Sequence, residues 1–364
     1  MKTKTKKIIK GFGIALGSIV GLTTLGVGIT AISYTALEYR PDKIEEIKSK
    51  KMVYKNQKYK ILSWNIGYGG LGDNANFFYD GGEMIDTASR ARVETNMQNI
   101  VLDTKMISPD IALFQEVDES SKRAHYFNEV DFLNTKLNNY ANSFSYNFKV
   151  GHFPVPIKQP LGKIYAGLSN YSKLSVNNSK RYSLPDCKSW PVKTFWLKRN
   201  LLVNEYQIHN SSKKLYVVNL HLEAYGDGAK EQTIFLLNKI TEFQQGGNYV
   251  IAAGDFNQIF SNVPKNKRPK IISKSNKSLW KPEEINSQLF IEKGFDVWMS
   301  NNPKTPSCRS LDRTYKGANK DNFQFYQIDG FITSSNIKVH SRKVENLEFL
   351  SSDHNPIILE FELN

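Results

Sequence analysis

Eight polar residues stand where apolar strands run out: Asn65 in Leu-Ser-Trp-Asn-Ile-Gly, Glu116 in Leu-Phe-Gln-Glu-Val-Asp, His221 in Asn-Leu-His-Leu-Glu, Asp255 and Asn257 in Gly-Asp-Phe-Asn, Asp329 in Gln-Ile-Asp-Gly, and Asp353 and His354 in Ser-Ser-Asp-His-Asn-Pro. A packed β core does not select carboxylates, carboxamides and imidazoles, because burying them unpaired costs several kcal/mol each. Carboxylate and carboxamide oxygens hold hard divalent cations, and histidines carry protons. The set therefore predicts metal-assisted hydrolysis.

Such residues need strands to carry them. Tyr59 to Ile66 alternates, with Ile61, Ser63 and Asn65 on one face and Leu62, Trp64 and Ile66 on the other. Val93, Met97, Ile100 and Val101 recur at helical spacing between Ser89 and Met106, and Ser108-Pro109-Asp110 ends that helix. Asp110 to Gln115 reads as a buried strand delivering Glu116 at its end, and Leu215 to Leu222 as one ending around His221. Ala229 to Gln245 is an expected helix, stopped by Gly246-Gly247. Tyr249 to Ala253 runs into the Gly254-Asp255-Phe256-Asn257 turn, where alternation across Phe256 points Asp255 and Asn257 the same way. With Phe323 to Ile332 and Ile357 to Leu363 as further strands, the pattern predicts an α/β or α+β sandwich in one domain.

A different element precedes this domain. Lys2, Lys4, Lys6, Lys7 and Lys10 are followed by a stretch from Gly11 to Leu37 with no charged residue. Residues 1–10 read as a basic cytoplasmic end, 11–37 as a transmembrane anchor, 38–57 as a juxtamembrane spacer and 58–364 as the catalytic domain. Small residues from Gly28 to Ala31 leave a cleaved signal peptide as the alternative, and the absence of a Cys after the run excludes a lipoprotein signal. The orientation places the domain outside the cell membrane. The formal charge of +14 suits a polyanionic partner such as nucleic acid, anionic lipid or an acidic wall polymer. Cys187 and Cys308 have no metal-ligand spacing; one disulfide or two free thiols are both open.

Taken in order, Trp64-Asn65, Gln115-Glu116, Asn219-Leu220-His221, Gly254-Asp255-Phe256-Asn257, Ile328-Asp329 and Ser352-Asp353-His354 resemble the endonuclease/exonuclease/phosphatase superfamily, to which deoxyribonuclease I belongs. The resemblance runs from about Tyr59 to Asn364 and is weakest from Lys122 to Asn204. It implies a four-layer α/β sandwich of two packed, mostly antiparallel sheets flanked by helices, and phosphoester hydrolysis with Mg²⁺, or Mn²⁺ or Ca²⁺. It also implies Glu116, Asn65 and Asp353 at the metal and Asp255 as water activator. Asn257 and His221 are then expected on the phosphate, and His354, oriented by Asp329, on the scissile group. Where the family carries a basic residue after Leu-Ser, this chain has Asn170, and no catalytic tyrosine is assigned although Tyr165 and Tyr171 are near. His125, His152, His209 and His340 fall outside the pattern.

Two stretches bear on the substrate. Lys265, Lys267, Arg268, Lys270, Lys274, Lys277 and Lys281 run without an intervening acid, with Trp280 among them, and Lys180 to Arg199 mixes basic residues with Tyr182, Trp190, Phe195 and Trp196. Basic groups contact phosphates and aromatic rings stack on bases, so the leading expectation is a membrane-anchored nuclease acting on DNA or RNA. A sphingomyelin or phospholipid phosphodiesterase and a catalytically silent binding protein are the alternatives.

Overall fold

The computed structural model describes residues 2–41, 44–48, 53–224, 226–270, 272 and 280–364. Two parallel strand pairs make its centre: Lys58–Asn65 with Ile111–Asp118, and Lys214–His221 with Tyr249–Asp255. Parallel neighbours cannot be joined by a tight turn, and the helices Arg90–Ile107 and Gly226–Gln244 provide the crossovers. Antiparallel strands extend each pair. Among the described residues one sheet runs, in order, Ile337–Val344, Ile357–Leu363, Lys58–Asn65, Ile111–Asp118, Gly162–Ser172 and Ala141–Phe153. The other runs Ile44–Lys48, Asn178–Ser183, Asn200–Gln207, Lys214–His221, Tyr249–Asp255, Asp329–Ser334 and Phe295–Met299.

Alternation along these strands builds four layers. Ile61, Ile111, Leu113, Leu215, Val217, Ile251, Ala253 and Phe331 pack between the two sheets. Leu62, Trp64, Ala112 and Phe114 face outward against Val93, Met97 and Ile100 of the first crossover helix. On the far side, Val218, Leu220, Val250 and Ala252 meet Leu236, Leu237 and Ile240 of the second. Each fully buried aliphatic side chain contributes about 1.5–3 kcal/mol of transfer free energy, so the sandwich is held mainly by these three layers of contact. Ser89 caps the first helix by accepting from the Arg92 amide at 3.3 Å, and Ser108 ends it in a left-handed conformation.

The space between the sheets is not wholly apolar. Gln115 donates to Ser63 Oγ at 3.1 Å and to Asn219 Oδ1 at 2.7 Å, Asn219 donates to Asn170 Oδ1 at 2.8 Å, and Asn170 donates to Asn204 Oδ1 at 3.1 Å. This network explains the Asn at position 170: a cation there would enter a closed set of buried amides with no carboxylate partner.

Several expectations are modified. Glu116 does not follow its strand but lies inside it, at a register shift between Phe114 and Val117, with φ +56°. The strand expected over Phe323 to Ile332 breaks into Phe325–Tyr326, paired with Cys308–Arg309, and Asp329–Ser334 in the large sheet. Within the expected spacer 38–57, Ile44–Lys48 pairs antiparallel with Asn178–Ser183, and Val53 is buried with its amide 2.8 Å from Gln207 O. Both cysteines are free.

The N-terminal helix spans Lys2–Ala36, and its segment Leu16–Ala36, with mean hydropathy 1.7 and no burial inside the protein, is long and apolar enough to cross a membrane. At 1.5 Å per residue it covers about 30 Å, the thickness of a hydrocarbon core. Its last turn touches the domain: Trp190 Nε1 donates to Thr35 Oγ1 at 3.0 Å, and Lys198 pairs with Glu38 at 2.8 Å.

Candidate active site

The C-terminal ends of the two parallel pairs meet at one edge of the sandwich. His221 is in register with Asp255, and Asp255 with Asp329, so three functional residues sit side by side on adjacent strands. Asp255 and Asp329 each stand two residues from an inter-sheet residue, Ala253 and Phe331, which puts them on that same face. Asn65 and Glu116 arrive from the opposing sheet, and Asp353 and His354 from the loop before the strand Ile357–Leu363.

Asn65 is the bridge between the sheets. Its Nδ2 donates to Glu116 Oε1 at 3.2 Å and to Asp255 Oδ2 at 3.1 Å, while its Oδ1 accepts from the Gly67 amide at 3.0 Å. The Asn65 oxygen, expected at the metal, accepts one backbone hydrogen bond, and its amide nitrogen holds two carboxylates in place. Asp255 is further fixed through Oδ1, which accepts from the Asn257 amide at 2.8 Å. Asn257 has φ +52°, and its Nδ2 donates to Leu222 O at 2.9 Å. Gly254 is required by close approach, since a Cβ there would lie 1.9 Å from Leu220 O.

His354 Nδ1 is 2.9 Å from Asp329 Oδ2, and its Nε2 is 3.7 Å from Asp255 Oδ2. His221 Nε2 lies 3.4 Å from the same Asp255 oxygen. The two imidazoles have opposite electrostatic settings. Burial works against charge on His354, but Asp329, Cys308 and Asp353 outweigh it and hold the ring well above its ordinary pKa. His221 is driven well below its ordinary value by burial and then by Arg199, His354 and Arg123. The surroundings favour the charged form of His354 and the neutral form of His221. Burial lifts Asp255 to about 7, against the pull of His354.

Glu116, His221, Asp255, Asn257, Asp353 and His354 line a common cavity of about 260 Å³. Asp329 and Asn65 stand behind that lining as supports, buried at 3% and 1% exposure. Asp353 is pushed up to about 6 by burial, with Glu116 adding to the shift. Asp80, also in the lining, is pushed up to about 7 by burial and by Asp353 and Glu116. Glu116, Asp353 and Asp80 bring three carboxylates to one cavity, a donor set whose chemistry fits a hard divalent cation. Two sets of side chains have ligand atoms close enough to share one ion, Cys308 with Asp353 and His354, and Asp255 with Asp329 and His354; burial pushes the Cys308 thiol up to about 12.

Asp80, Arg123, Glu223 and Arg309 also line the cavity and carry no sequence expectation, while Arg199, from the basic stretch Lys180 to Arg199, joins them. Asp80 comes from the aromatic, Gly-rich loop after the first strand; its Asp-Gly-Gly ending was the available signal. Arg123 stacks 3.8 Å from the Tyr68 ring and pairs with Asp118 at 2.8 Å, and Arg199 donates to His221 O at 3.0 Å. Both arginines belong to the segment where the motif pattern was weakest. His125, His152, His209 and His340 are absent from the cavity lining, as are Tyr165 and Tyr171.

The substrate stretches fare unequally. Lys274 and Lys277 lie outside the described residues, and Arg268 pairs with Glu284 at 2.6 Å. In the second stretch Tyr182 packs against the helix residue Phe243, and Phe195 and Trp196 join an interior cluster.

Comparison with known proteins agrees with this architecture. An endonuclease/exonuclease/phosphatase from Beutenbergia cavernae DSM 12333 superposes with a TM-score of 0.55 at 15% identity, covering 85% of this chain and 72% of that one. The corresponding protein from Bacteroides vulgatus gives 0.53 at 17% identity, covering 85% and 100%. At such identities the likeness is one of fold. No curated protein matches the chain. The family profile described as Endonuclease/Exonuclease/phosphatase family matches residues 62–354, from the strand that carries Asn65 to His354 itself. With that span and this arrangement of strand-end residues, the chain belongs to the endonuclease/exonuclease/phosphatase family.

Proposed function

We propose that the protein is a membrane-anchored phosphodiesterase that uses a divalent cation, Mg²⁺ in the first instance. The observation that carries this reading is that His354, paired with Asp329, and the buried carboxylate of Asp255, 3.7 Å apart, face one cavity containing Glu116 and Asp353. With a pKa near the working pH, Asp255 is suited to take a proton from water as that water bonds to phosphorus. His354, held charged by Asp329, sits where it can donate to a phosphoryl oxygen, and His221 and Asn257 offer neutral hydrogen bonds beside it. One P–O ester bond breaks, and the leaving oxygen takes up a proton. A cation bound by Glu116 and Asp353 supplies charge neutralisation at the phosphoryl oxygens.

The basic N-terminus ahead of the apolar helix supports an orientation with the catalytic domain outside the cell. The formal charge of +14 includes five lysines in residues 1–10, and the positive balance that remains after them supports a nucleic acid substrate. Bis(4-nitrophenyl) phosphate, plasmid DNA, RNA, phospholipid vesicles and inositol phosphates should be incubated with the purified full chain in Mg²⁺ or Mn²⁺ and again in EDTA. Metal-dependent cleavage of at least one diester is expected. A folded protein inert toward all of them would sink the enzymatic reading in favour of a binding role.

A further inference from the structure

We propose that Arg123 binds a non-bridging oxygen of the substrate's phosphoryl group, as a guanidinium clamp beside Glu116 and His221. This inference rests on the phosphodiesterase reading and adds to it a residue outside the eight strand-end positions. Three arginines line the cavity, Arg123, Arg199 and Arg309, and their hydrogen bonds set them apart. Arg309 is spent on the backbone: Nη1 donates to Ser310 O at 2.9 Å, and Nη2 reaches the carbonyls of Leu71, Gly72 and Ala75 at 3.1, 2.7 and 3.3 Å. Arg199 is turned to the His221 carbonyl at 3.0 Å and to Glu223 at 3.6 Å. Arg123 gives one edge to the protein, Nε and Nη2 donating to the two oxygens of Asp118 at 3.1 and 2.8 Å.

A guanidinium carries five N–H donors, and the bonds to Asp118 use two of them. Among the described residues Nη1 has no acceptor. Buried donors left without acceptors are costly. The side chain is 11% exposed, and its unpaired edge is accounted for by opening on the cavity, where water or a ligand oxygen accepts.

Two contacts fix the direction of that edge. Asp118 is wholly buried behind the guanidinium, and the ring of Tyr68, itself buried, lies against its face at 3.8 Å. A planar cation held on one edge and one face is already oriented for the two-pronged recognition of phosphate oxygens that distinguishes arginine from lysine. Its charge belongs to the catalytic end of the cavity. Burial opposes that charge, but Asp118, Tyr68 and Glu116 outweigh it, and Arg123 is among the cations that join burial in driving His221 down. A phosphoryl group seated at this end takes N–H donors from Arg123 as negative charge builds on its oxygens.

The test compares Arg123→Gln with Asp118→Asn in the full chain with Mg²⁺. Both break the buried ion pair, but only the first removes the clamp. Binding of inorganic phosphate, read by calorimetry, should weaken at least about tenfold in Arg123→Gln. In Asp118→Asn it should stay closer to native, because the amide oxygen still accepts from the guanidinium. The kcat/KM for bis(4-nitrophenyl) phosphate should fall about 10²–10³-fold in Arg123→Gln. A folded Arg123→Gln with native phosphate affinity, or equal losses in the two variants, would overturn the clamp and leave the phosphodiesterase reading standing. Should Arg123→Gln fail to fold, the native protein treated with phenylglyoxal decides. Inorganic phosphate should then slow modification of Arg123, read by mass spectrometry of the digest, and not that of the exposed Arg40. An unprotected Arg123 would overturn the clamp equally. Phosphate binding that depends on Arg123, in a protein that hydrolyses no diester, would instead remove the catalytic reading and keep the anion site.

Discussion

The Nδ1 atom of His354 and the Oδ2 atom of Asp329, 25 residues apart in sequence, are 2.9 Å apart in a buried pair that fixes both the charge and the direction of the imidazole. A raised histidine pKa contributes stability that is fully present below the unfolded value, about 6.5, and is lost as pH rises through the higher folded value. Asp329→Asn should therefore cost most stability at pH 6 and progressively less on the alkaline side. The alkaline limb of the kcat profile should also move to lower pH. Urea titrations at several pH values and a pH–rate profile check both. An unmoved limb would mean that Asp329 does not set the charge of His354.

Asp255 presents the opposite case. Burial raises its carboxyl to about 7, so its ionised form is disfavoured in the fold, and the stability it supports below pH 4 is lost as pH rises through 7. In EDTA, Asp255→Asn should match the native protein at pH 4 and exceed it at pH 8 by on the order of 3 kcal/mol. The same substitution should lower kcat by about 10²–10⁴-fold, the usual worth of a positioned base. Chemical denaturation and steady-state rates give the two readouts.

Glu116 occupies a left-handed conformation at φ +56°, a setting that costs a non-glycine residue about 1–3 kcal/mol when strained. Glu116→Gly should stabilise the metal-free protein by about 1 kcal/mol while removing activity, because backbone strain is relieved and a cation ligand is lost. Glu116→Gln keeps the side chain's size and should raise the cation concentration needed for half-maximal rate. Thermal melts with and without Mg²⁺ separate the two effects.

Asn219 sits in the amide network between the sheets, receiving from Gln115 and donating to Asn170 at 2.7 and 2.8 Å. Asn219→Leu leaves those amides without partners, each worth about 1–3 kcal/mol when buried unsatisfied. The melting temperature should fall and kcat should fall with it, since Gln115 precedes Glu116. A double substitution with Gln115→Leu should cost less than the sum of the two.

The strand-end residues were legible because alternation is a strong local signal: Ile61, Ser63 and Asn65, or Ala253 and Asp255, can only share a face. The glutamate bulge was not, because a one-residue shift in pairing depends on the neighbouring strand Gly162–Ser172 and leaves no local mark. The bridge made by Asn65 leaves no local mark for a similar reason: which of its two amide atoms meets Glu116 is decided by Gly67, Glu116 and Asp255 together. Arg123 carries no local signal, because only the fold brings the Tyr68 ring against it. The apolar wall of the cavity was hidden most completely, since Phe148, Phe153 and Ile164 look like any strand core, and only the fold shows that one side of them is open to a cavity.

The placement of His354 near the end of the chain sets a condition on completing the site. Asn65 and Glu116 are made early, yet the imidazole they work with comes from the loop that precedes the strand Ile357–Leu363, which hydrogen-bonds directly to Lys58–Asn65. The site is therefore closed by the pairing of Ile357–Leu363 with Lys58–Asn65, and a chain lacking that strand and the loop before it lacks both Asp353 and His354.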